Sequence, residues 1–347
     1  MAIIGGFDVH RNQITFDYLD TTSGEVTTGQ IRPATRPVLR EWLCHFQGRD
    51  DVAFAVEGCT GWRFVVEEMI RAGVEPHLAE PADTATQRGR KKRAKTDRAD
   101  ARLQRELLAG GRLPESWIPP DQVLEVRILG RLYMALMDQR RAWQQRIHAQ
   151  LFHQGVPAVG GLLTAEGRAA LAGAELSPAG RQAVDTALAA IEALNERIAP
   201  LRAQLERIGR CQPGARALTA HYGIGALCAV IIWAELGDCR RFRTSDQAVR
   251  FTGLDVTVYS SDGKRSPGRL ARQGPPELRW ALFEAAKSAA RQTAPDHDYY
   301  VTLRDRLGGK RPTLSVARKL ARRCYHTLRD LGDQAWTRPA ALEQEAA

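Results

Sequence analysis

Four acidic residues have types and spacing that suit metal-dependent chemistry: Asp8, Glu57, Asp97 and Asp100. Asp8 and Glu57 each end a short apolar segment that is typical of a strand, and Asp97 and Asp100 stand three apart on one face of an expected helix. Acids at the ends of neighbouring strands can converge at one edge of a sheet, and a helix packed across that edge can add the other pair. Four carboxylates in one place repel each other unless cations neutralise them, and Mg²⁺ binds such groups together with water and phosphate oxygens. The spacing therefore indicates a site for a divalent metal, Mg²⁺ or Mn²⁺, suited to phosphoryl transfer.

The elements that must position these acids follow from the apolar pattern of the first part of the chain. Strands are predicted at 3–9, 13–19, 25–31, 52–57 and 74–78, and helices at 33–46, 61–72 and 96–109. Taken singly, each acid could instead be a solvated strand cap or a favourable charge at a helix start. Their combination predicts an α/β domain over residues 1–112 with the acids at one edge of its sheet.

The chain of 347 residues is strongly basic, with 50 Lys and Arg against 40 Asp and Glu, a net charge of +10 and a pI near 9.6. Such an excess favours a polyanionic partner, most commonly nucleic acid, although it can also be only a basic surface. Basic residues concentrate at 88–95, in the loop that follows residue 254, and in the last helices. We expect nucleic-acid contacts from Arg88, Arg90, Lys91, Lys92, Arg93, Lys95, Lys264, Arg265, Arg269, Arg272, Lys310, Arg311, Arg318 and Lys319.

The rest of the chain is predicted to be mainly helical. A linker and oligomerisation region at 113–210 contains apolar residues that repeat every seven positions between Val184 and Ile208, which is typical of a coiled coil. Pro200 lies inside this repeat and should kink or interrupt the helix. The repeat fits either a helical hairpin within one chain or a dimerisation arm, and we favour the arm. A mainly α domain at 211–332, with a loop at 254–268, and a disordered tail at 333–347 complete the expected organisation.

The cysteines and the apolar runs exclude several classes of protein. The six cysteines form no C-x-x-C pair, which argues against a zinc finger, and scattered thiols without a visible targeting segment indicate a reducing cytosol. The apolar run at 227–234 is too short to cross a membrane. We therefore expect a cytoplasmic protein with no membrane partner.

Three segments resemble the DEDD-type domain of the IS110 family of bacterial insertion-sequence transposases. They are Gly6-Phe-Asp-Val-His10, Val56-Glu-Gly-Cys-Thr-Gly61 and Lys95-Thr-Asp-Arg-Ala-Asp-Ala101. All four acids of the family pattern fall on Asp8, Glu57, Asp97 and Asp100. The resemblance implies a RuvC-like, ribonuclease-H-type fold in which these acids bind metal.

The second half of the chain resembles the C-terminal domain of the same family, which carries a nucleophilic serine. The resemblance runs through 218–225, 251–265, 268–274 and 278–282. The serine best matches Ser261, with its neighbour Ser260 as the alternative. The resemblance implies that Ser261 attacks a DNA phosphodiester and forms a phosphoserine link, while nearby basic side chains neutralise the phosphate. From the residues alone, this Ser-Ser-Asp-Gly-Lys stretch is typical of an ordinary turn.

The resemblance covers about residues 3–330 and implies a transposase that cuts and rejoins DNA at the bacterial nucleoid. Members of this family use a structured bridge RNA that pairs with donor and target DNA, so that base pairing chooses the sequence. The resemblance also implies dimers that pair into a tetramer, with Ser261 of one protomer meeting the acids of another. One alternative is a RuvC-like nuclease in which metal-activated water hydrolyses DNA and the serine segment only binds it. A second alternative, which the intact acids oppose, is a non-catalytic nucleic-acid-binding protein.

Overall fold

The computed structural model describes residues 1–87, 96–256, 259–261, 264–266, 268 and 270–339, with the backbone alone at 259–261 and 264–266. The chain consists of two compact units, Met1–Ile118 (unit 1) and Pro119–Ala347 (unit 2). Among the described residues, no helix combines the length and the apolar character needed to cross a membrane.

Unit 1 is built on a mixed five-stranded sheet with the strand order β3-β2-β1-β4-β5. The strands are β1 (Ile3–Val9), β2 (Ile14–Asp20), β3 (Val26–Ile31), β4 (Val52–Glu57) and β5 (Glu75–Ala79). β1 pairs antiparallel with β2 and parallel with β4, where Phe7 lies opposite Val56, so that β1 and β4 end side by side. All five predicted strands are confirmed, and their order is consistent with the expected RuvC-like domain.

Helices cover both faces of this sheet. They are α1 (Arg36–Leu43), α2 (Trp62–Arg71), α3 (Pro81–Thr86) and α4 (Asp97–Ala109). On one face, Phe7 stacks on Phe54 at 4.6 Å between ring centroids, within a core to which α1 and α2 contribute. On the other face, a β-carbon added to Gly6 would lie 2.2 Å from the carbonyl oxygen of Ala101. Because side chains alternate along a strand, the glycine lets α4 lie directly on β1.

A buried ion pair also holds α4 on the sheet. The Arg105 Nε of α4 lies 2.5 Å from Asp17 Oδ1 of β2, and the two residues are only 8% and 4% exposed. Burial raises the pKa of Asp17, and the neighbouring Arg105 guanidinium partly offsets this rise. A buried charge left without its partner is costly, so this pair fixes where α4 can lie.

Unit 2 is mainly helical, as predicted for the middle and C-terminal regions. Its helices are α5 (Asp121–His153), α6 (Ala165–Ala172), α7 (Pro178–Cys211), α8 (Pro213–Leu218), α9 (Ala226–Leu236), α10 (Ser245–Phe251), α11 (Pro276–Ala286), α12 (His297–Leu307) and α13 (Arg311–Leu331). Since α7 packs against α5, α8 and α9, the middle region and the C-terminal region belong to one compact unit.

The seven-residue repeat is used, at least in part, within one chain. Val184 and Ile191 of α7 are buried together with Ile147 and Leu151 of α5. Of the kink or interruption predicted at Pro200, the interruption is not observed, because α7 continues through this exposed residue as one helix. At an exposed position the missing backbone N–H leaves a carbonyl that water can satisfy. Dimerisation through this arm stays a prediction.

The expected loop at 254–268 contains a short antiparallel hairpin. Its strands are β6 (Tyr259–Ser261) and β7 (Lys264–Ser266), with Ser261 opposite Lys264. The sequence between the strands is Asp-Gly, a dipeptide favoured in two-residue hairpin turns. The Asp-Gly dipeptide therefore indicated a hairpin, but the segment was predicted only as a loop because its composition is typical of turns.

The packed part of unit 2 extends into the segment expected to be a disordered tail. Gly332–Trp336 forms a 3-10 turn, and the Trp233 indole nitrogen donates a hydrogen bond to the carbonyl oxygen of Ala335 at 2.9 Å. The rings of Trp336 and Trp233 stack at 5.4 Å. An aromatic side chain buries enough apolar surface to hold such a short segment, which corrects the expected start of the tail at 333.

Candidate functional site

The four predicted acids line one open cleft of about 850 Å³ in unit 1. Asp8 lies near the end of β1 and Glu57 at the end of the parallel neighbour β4. Asp97 and Asp100 lie in the first turn of α4, which packs against both strands. The sheet edge and the helix start together place four carboxylates around one space.

The start of α4 is fixed by its own sequence. The Thr96 hydroxyl accepts a hydrogen bond from the backbone N–H of Ala99 at 3.2 Å, which is a helix N-cap. The N-terminus of a helix favours negative charge, so Asp97 and Asp100 lie where two acids are tolerated best. The segment Thr-Asp-Arg-Ala-Asp therefore both begins the helix and presents its acids to the cleft.

His10 joins this acidic group, although the sequence analysis gave it no role. Its Nε2 lies 3.1 Å from Asp8 Oδ2 and 3.5 Å from Asp97 Oδ1. One potential ligand atom from each of the three residues lies within 4.8 Å of the others. The signal was present in the sequence, because residues two apart along an extended segment share a face, and His10 follows Asp8 by two.

Burial and the repulsion from neighbouring acids both disfavour a negative charge on Asp8. Burial raises the pKa of Asp8, the neighbouring Asp100 and Asp97 add to that rise, and His10 opposes it. Burial also raises the pKa of the Cys59 thiol, which keeps Cys59 neutral at the wall of the cleft. A cation bound among the carboxylates would relieve this repulsion directly.

A hydrogen-bond relay orients Asp97 from outside the cleft. The Gln13 side-chain amide donates to Asp97 Oδ2 at 2.8 Å, and the Arg32 guanidinium donates to the side-chain oxygen of Gln13. Groups that hydrogen-bond to a metal ligand set its orientation and its basicity. Neither Gln13 nor Arg32 was predicted as a site residue, because the strands that bring them to Asp97 are distant from it in sequence.

In unit 2, the backbone around the serine hairpin is held at its base. The Arg318 Nε donates to the carbonyl oxygen of Leu254 at 2.5 Å, and an Arg279 guanidinium nitrogen donates to that of Gly274 at 2.8 Å. An isolated β-bridge joins Val256 to Leu270 between these two points. The segment that carries Ser261 therefore enters and leaves the fold at fixed positions, and Arg279 is a further residue that the sequence analysis missed.

In the hairpin, each candidate serine lies opposite a basic residue of the neighbouring strand. Ser261 pairs with Lys264, and the alternative Ser260 pairs with Arg265. Arg272 is exposed just beyond the hairpin and adopts a φ of 54°, a left-handed conformation rare for arginine.

The basic residues predicted to contact nucleic acid differ in how the structure uses them. Lys310 and Arg311 are exposed at the start of α13. Arg318 donates to the backbone at the base of the hairpin, and the Lys319 ammonium lies 2.7 Å from Asp296. Both side chains therefore already have partners within the fold. To contact a polyanion, they would have to share or exchange these partners. Seven further predicted residues lie outside the described residues, namely Arg88, Arg90, Lys91, Lys92, Arg93, Lys95 and Arg269.

Both parts of the chain match sequence models of transposases. Residues 5–153 match the DEDD transposase domain of IS110 elements, and residues 215–301 match the model described as transposase IS116/IS110/IS902 family. Together the two matched segments span more than half of the chain. The mixed α/β domain is consistent with the DEDD transposase model, and the chain belongs to the IS116/IS110/IS902 family of transposases.

Individual relatives agree with this family. The chain is 30% identical over 252 residues to a putative transposase of Sinorhizobium fredii, across 64% of this chain and 62% of the relative. It is 31% identical over 131 residues to a probable family 20 transposase of Pseudomonas aeruginosa, across 38% of this chain and 39% of the relative. An uncharacterized IS110 insertion-element protein of Streptomyces coelicolor is 26% identical over 166 residues, across 47% of this chain and 40% of that protein. The matches thus span between 39% and 62% of the lengths of these relatives.

Proposed function

We propose that this chain is a transposase that cuts and rejoins DNA at the ends of an insertion sequence. The observation that carries the proposal is the convergence of Asp8, Glu57, Asp97 and Asp100 on one cleft, within a segment that matches a transposase domain. The second matched segment, 215–301, includes the hairpin with Ser261. Each half of the chain thus brings one chemical component of the proposed reaction.

The cleft fits a divalent cation, Mg²⁺ or Mn²⁺. Its donors are carboxylate oxygens, and those of Asp8 and Asp97 lie within 4.8 Å of one another. Glu57 and Asp100 line the same space and can complete the set. A cation held there would supply positive charge to phosphate oxygens during phosphoryl transfer. The acids would hold that cation, and Gln13 would orient Asp97 for it.

Ser261 is the proposed nucleophile. Its hydroxyl oxygen forms a bond to the phosphorus of a DNA phosphodiester, the bond from that phosphorus to one sugar oxygen breaks, and the serine proton ends on the released sugar hydroxyl. The phosphoserine link conserves the phosphoester bond, so the reverse step with a different sugar hydroxyl rejoins the strand without another energy source. Lys264 and Arg265, three and four residues further along the chain, would offset the phosphate charge.

We propose donor and target DNA, a structured bridge RNA and further copies of this chain as partners. The net charge of +10 and the exposed Lys310 and Arg311 support a polyanionic partner. The family resemblance supports the RNA and the assembly of dimers into a tetramer. Sequencing the nucleic acid that copurifies with the protein tests guidance by RNA. One discrete RNA species is the expected result, and random fragments would contradict it.

A trapped protein–DNA adduct tests the proposed chemistry. Wild-type protein incubated with DNA that carries an element end should form a covalent adduct that survives denaturation. Ser261→Ala should form none, and Ser260→Ala should still form it, which separates the two candidate serines. Cut DNA without any adduct, at the same rate in Ser261→Ala, would instead support the hydrolytic nuclease for which the acidic cleft alone suffices.

A further inference from the structure

The position of His10 beside the acidic cleft is set by the β1–β2 connection. The His10 backbone N–H donates to the carbonyl oxygen of Gln13 at 2.9 Å, which closes the turn between the two strands. The side chain therefore leaves the chain just beyond the end of β1, two residues after Asp8, and lines the cleft with it. The backbone of the β1–β2 connection therefore places His10 at the rim of the cleft.

The ring nitrogen of His10 lies between two carboxylates from different elements. Nε2 is 3.1 Å from an oxygen of Asp8 on β1 and 3.5 Å from an oxygen of Asp97 on α4. One nitrogen can offer a single proton, so it cannot hydrogen-bond fully to both acids at once. A cation shared by the nitrogen and the two oxygens satisfies all three atoms, which lie within 4.8 Å of one another.

The exposure of these groups allows exchange of an ion with solvent. The side chains of His10 and Asp97 are 54% and 43% exposed, whereas that of Asp8 is 15% exposed. Asp8 therefore anchors the buried side of the group, and the histidine closes it from the open side. Imidazole is a good ligand for transition metals, while Mg²⁺ prefers oxygen ligands and retains its waters.

We propose that His10 is a ligand of the divalent metal in this cleft, and that its ring nitrogen makes the site bind Mn²⁺ in preference to Mg²⁺. This inference rests on the proposed function only in taking the cleft to be a metal site. It adds a nitrogen donor to the acid tetrad that the sequence pattern identifies. It also assigns the selectivity for the metal to one side chain at the rim.

Pulsed electron paramagnetic resonance of Mn²⁺ bound to the full-length protein tests this ligand directly. A directly bound imidazole nitrogen modulates the Mn²⁺ spin echo, and that modulation should appear in wild-type protein and vanish in His10→Gln. His77→Gln is the matched control, because His77 in unit 1 also contacts a carboxylate, Glu115 at 2.8 Å, but does not line the cleft. The control should keep the nitrogen modulation.

The affinities for Mn²⁺ and Mg²⁺ are a second measurement. A purely structural role of His10 would not change one affinity more than the other. We expect His10→Gln to weaken Mn²⁺ binding roughly tenfold and Mg²⁺ binding, measured by competition, by less than about threefold. Equal losses for the two metals, or wild-type Mn²⁺ that binds through Asp8 without nitrogen modulation, would overturn the role of His10 and leave the metal site intact. Mn²⁺ binding that Asp8→Asn does not weaken would overturn the metal site itself.

Discussion

The acidic cleft of unit 1 and the serine hairpin of unit 2 are built by different means. The cleft is assembled on packed elements, because Gly6 brings α4 onto β1 and the buried Arg105–Asp17 pair holds it there. The hairpin instead extends from a base at which arginine side chains bond to backbone carbonyls, with Arg279 contacting Gly274 and Arg318 contacting Leu254. One site rests on a core, and the other on a few hydrogen bonds around a loop.

This difference separates what each site needs from the fold. The proposed metal ligands come from three elements and must keep their spacing, so they depend on close packing that tolerates little change. The proposed nucleophile instead depends on where its hairpin is attached to the fold. We therefore expect substitutions that move the packed elements of the cleft to disturb packing and metal binding together. Substitutions at the hairpin base should affect chemistry with little effect on metal binding.

The largest effect is expected from neutralising a single acid of the cleft. Asp8→Asn should lower formation of the protein–DNA adduct by about 10³-fold or more, because the charge that holds the metal is reduced. Its thermal unfolding midpoint should equal or exceed that of wild type, since burial and neighbouring acids raise the pKa of Asp8 and an amide avoids that repulsion. A clearly lowered midpoint would show that Asp8 is a structural residue.

A methyl group at Gly6 should damage both packing and metal binding. Its β-carbon would lie 2.2 Å from the Ala101 carbonyl oxygen, so α4 must move, at a cost of about 1–3 kcal/mol. Gly58→Ala is the matched control beside Glu57, because its nearest neighbours would be 3.4 Å away. Thermal unfolding and Mn²⁺ titration measure the two effects. If Gly6→Ala binds Mn²⁺ like wild type, the close approach of α4 does not set the site.

Loosening the base of the hairpin should impair chemistry selectively. Arg279→Ala removes the donor to the Gly274 carbonyl and should lower the adduct yield roughly tenfold to a hundredfold, because small misplacements of a nucleophile are costly. Mn²⁺ affinity should stay unchanged. Arg304→Ala is the control, since its exposed side chain pairs only with the adjacent Asp305 among the contacts described. An equal loss of metal affinity in Arg279→Ala would remove the distinction between the two sites.

The smallest effect is expected at the relay behind Asp97. Gln13→Ala removes the amide that donates to Asp97 at 2.8 Å, and Mn²⁺ affinity should fall about tenfold, as is typical for partners of metal ligands. Gln13→Glu should be worse, because it places a further negative charge against Asp97. Titration of Mn²⁺ into the two variants checks this order, and wild-type affinity in both would exclude a positioning role for Gln13.

Much of unit 1 could be predicted because its sequence signals are local. The alternation of apolar residues gave the strands of the sheet, and the start of α4 followed from Thr96 and the acids after it. The grouping of the four acids followed from strand ends and a helix start. These inferences need only the period of each element and the rule that parallel strands end together.

The remaining features depend on contacts that the sequence does not display. Gly6 resembles any other glycine until α4 is seen lying on it, and Gln13 meets Asp97 across 84 positions of chain. Arg279 lies in a segment that resembles the family, but its hydrogen bonds go to backbone carbonyls. Every residue has such a carbonyl, so the residue types do not reveal this contact. Side chains that bind backbone are therefore the hardest functional partners to predict.

The most direct test of the account asks whether the acids of unit 1 and the serine of unit 2 serve one reaction. After incubation with element-end DNA and nuclease digestion, mass spectrometry can quantify the nucleotide attached to Ser261 in the tryptic peptide 251–264. We expect a nucleotide on Ser261 in wild-type protein and its near-complete loss in Asp8→Asn. Undiminished nucleotide on Ser261 in Asp8→Asn, or a nucleotide on a different residue in wild type, would contradict it.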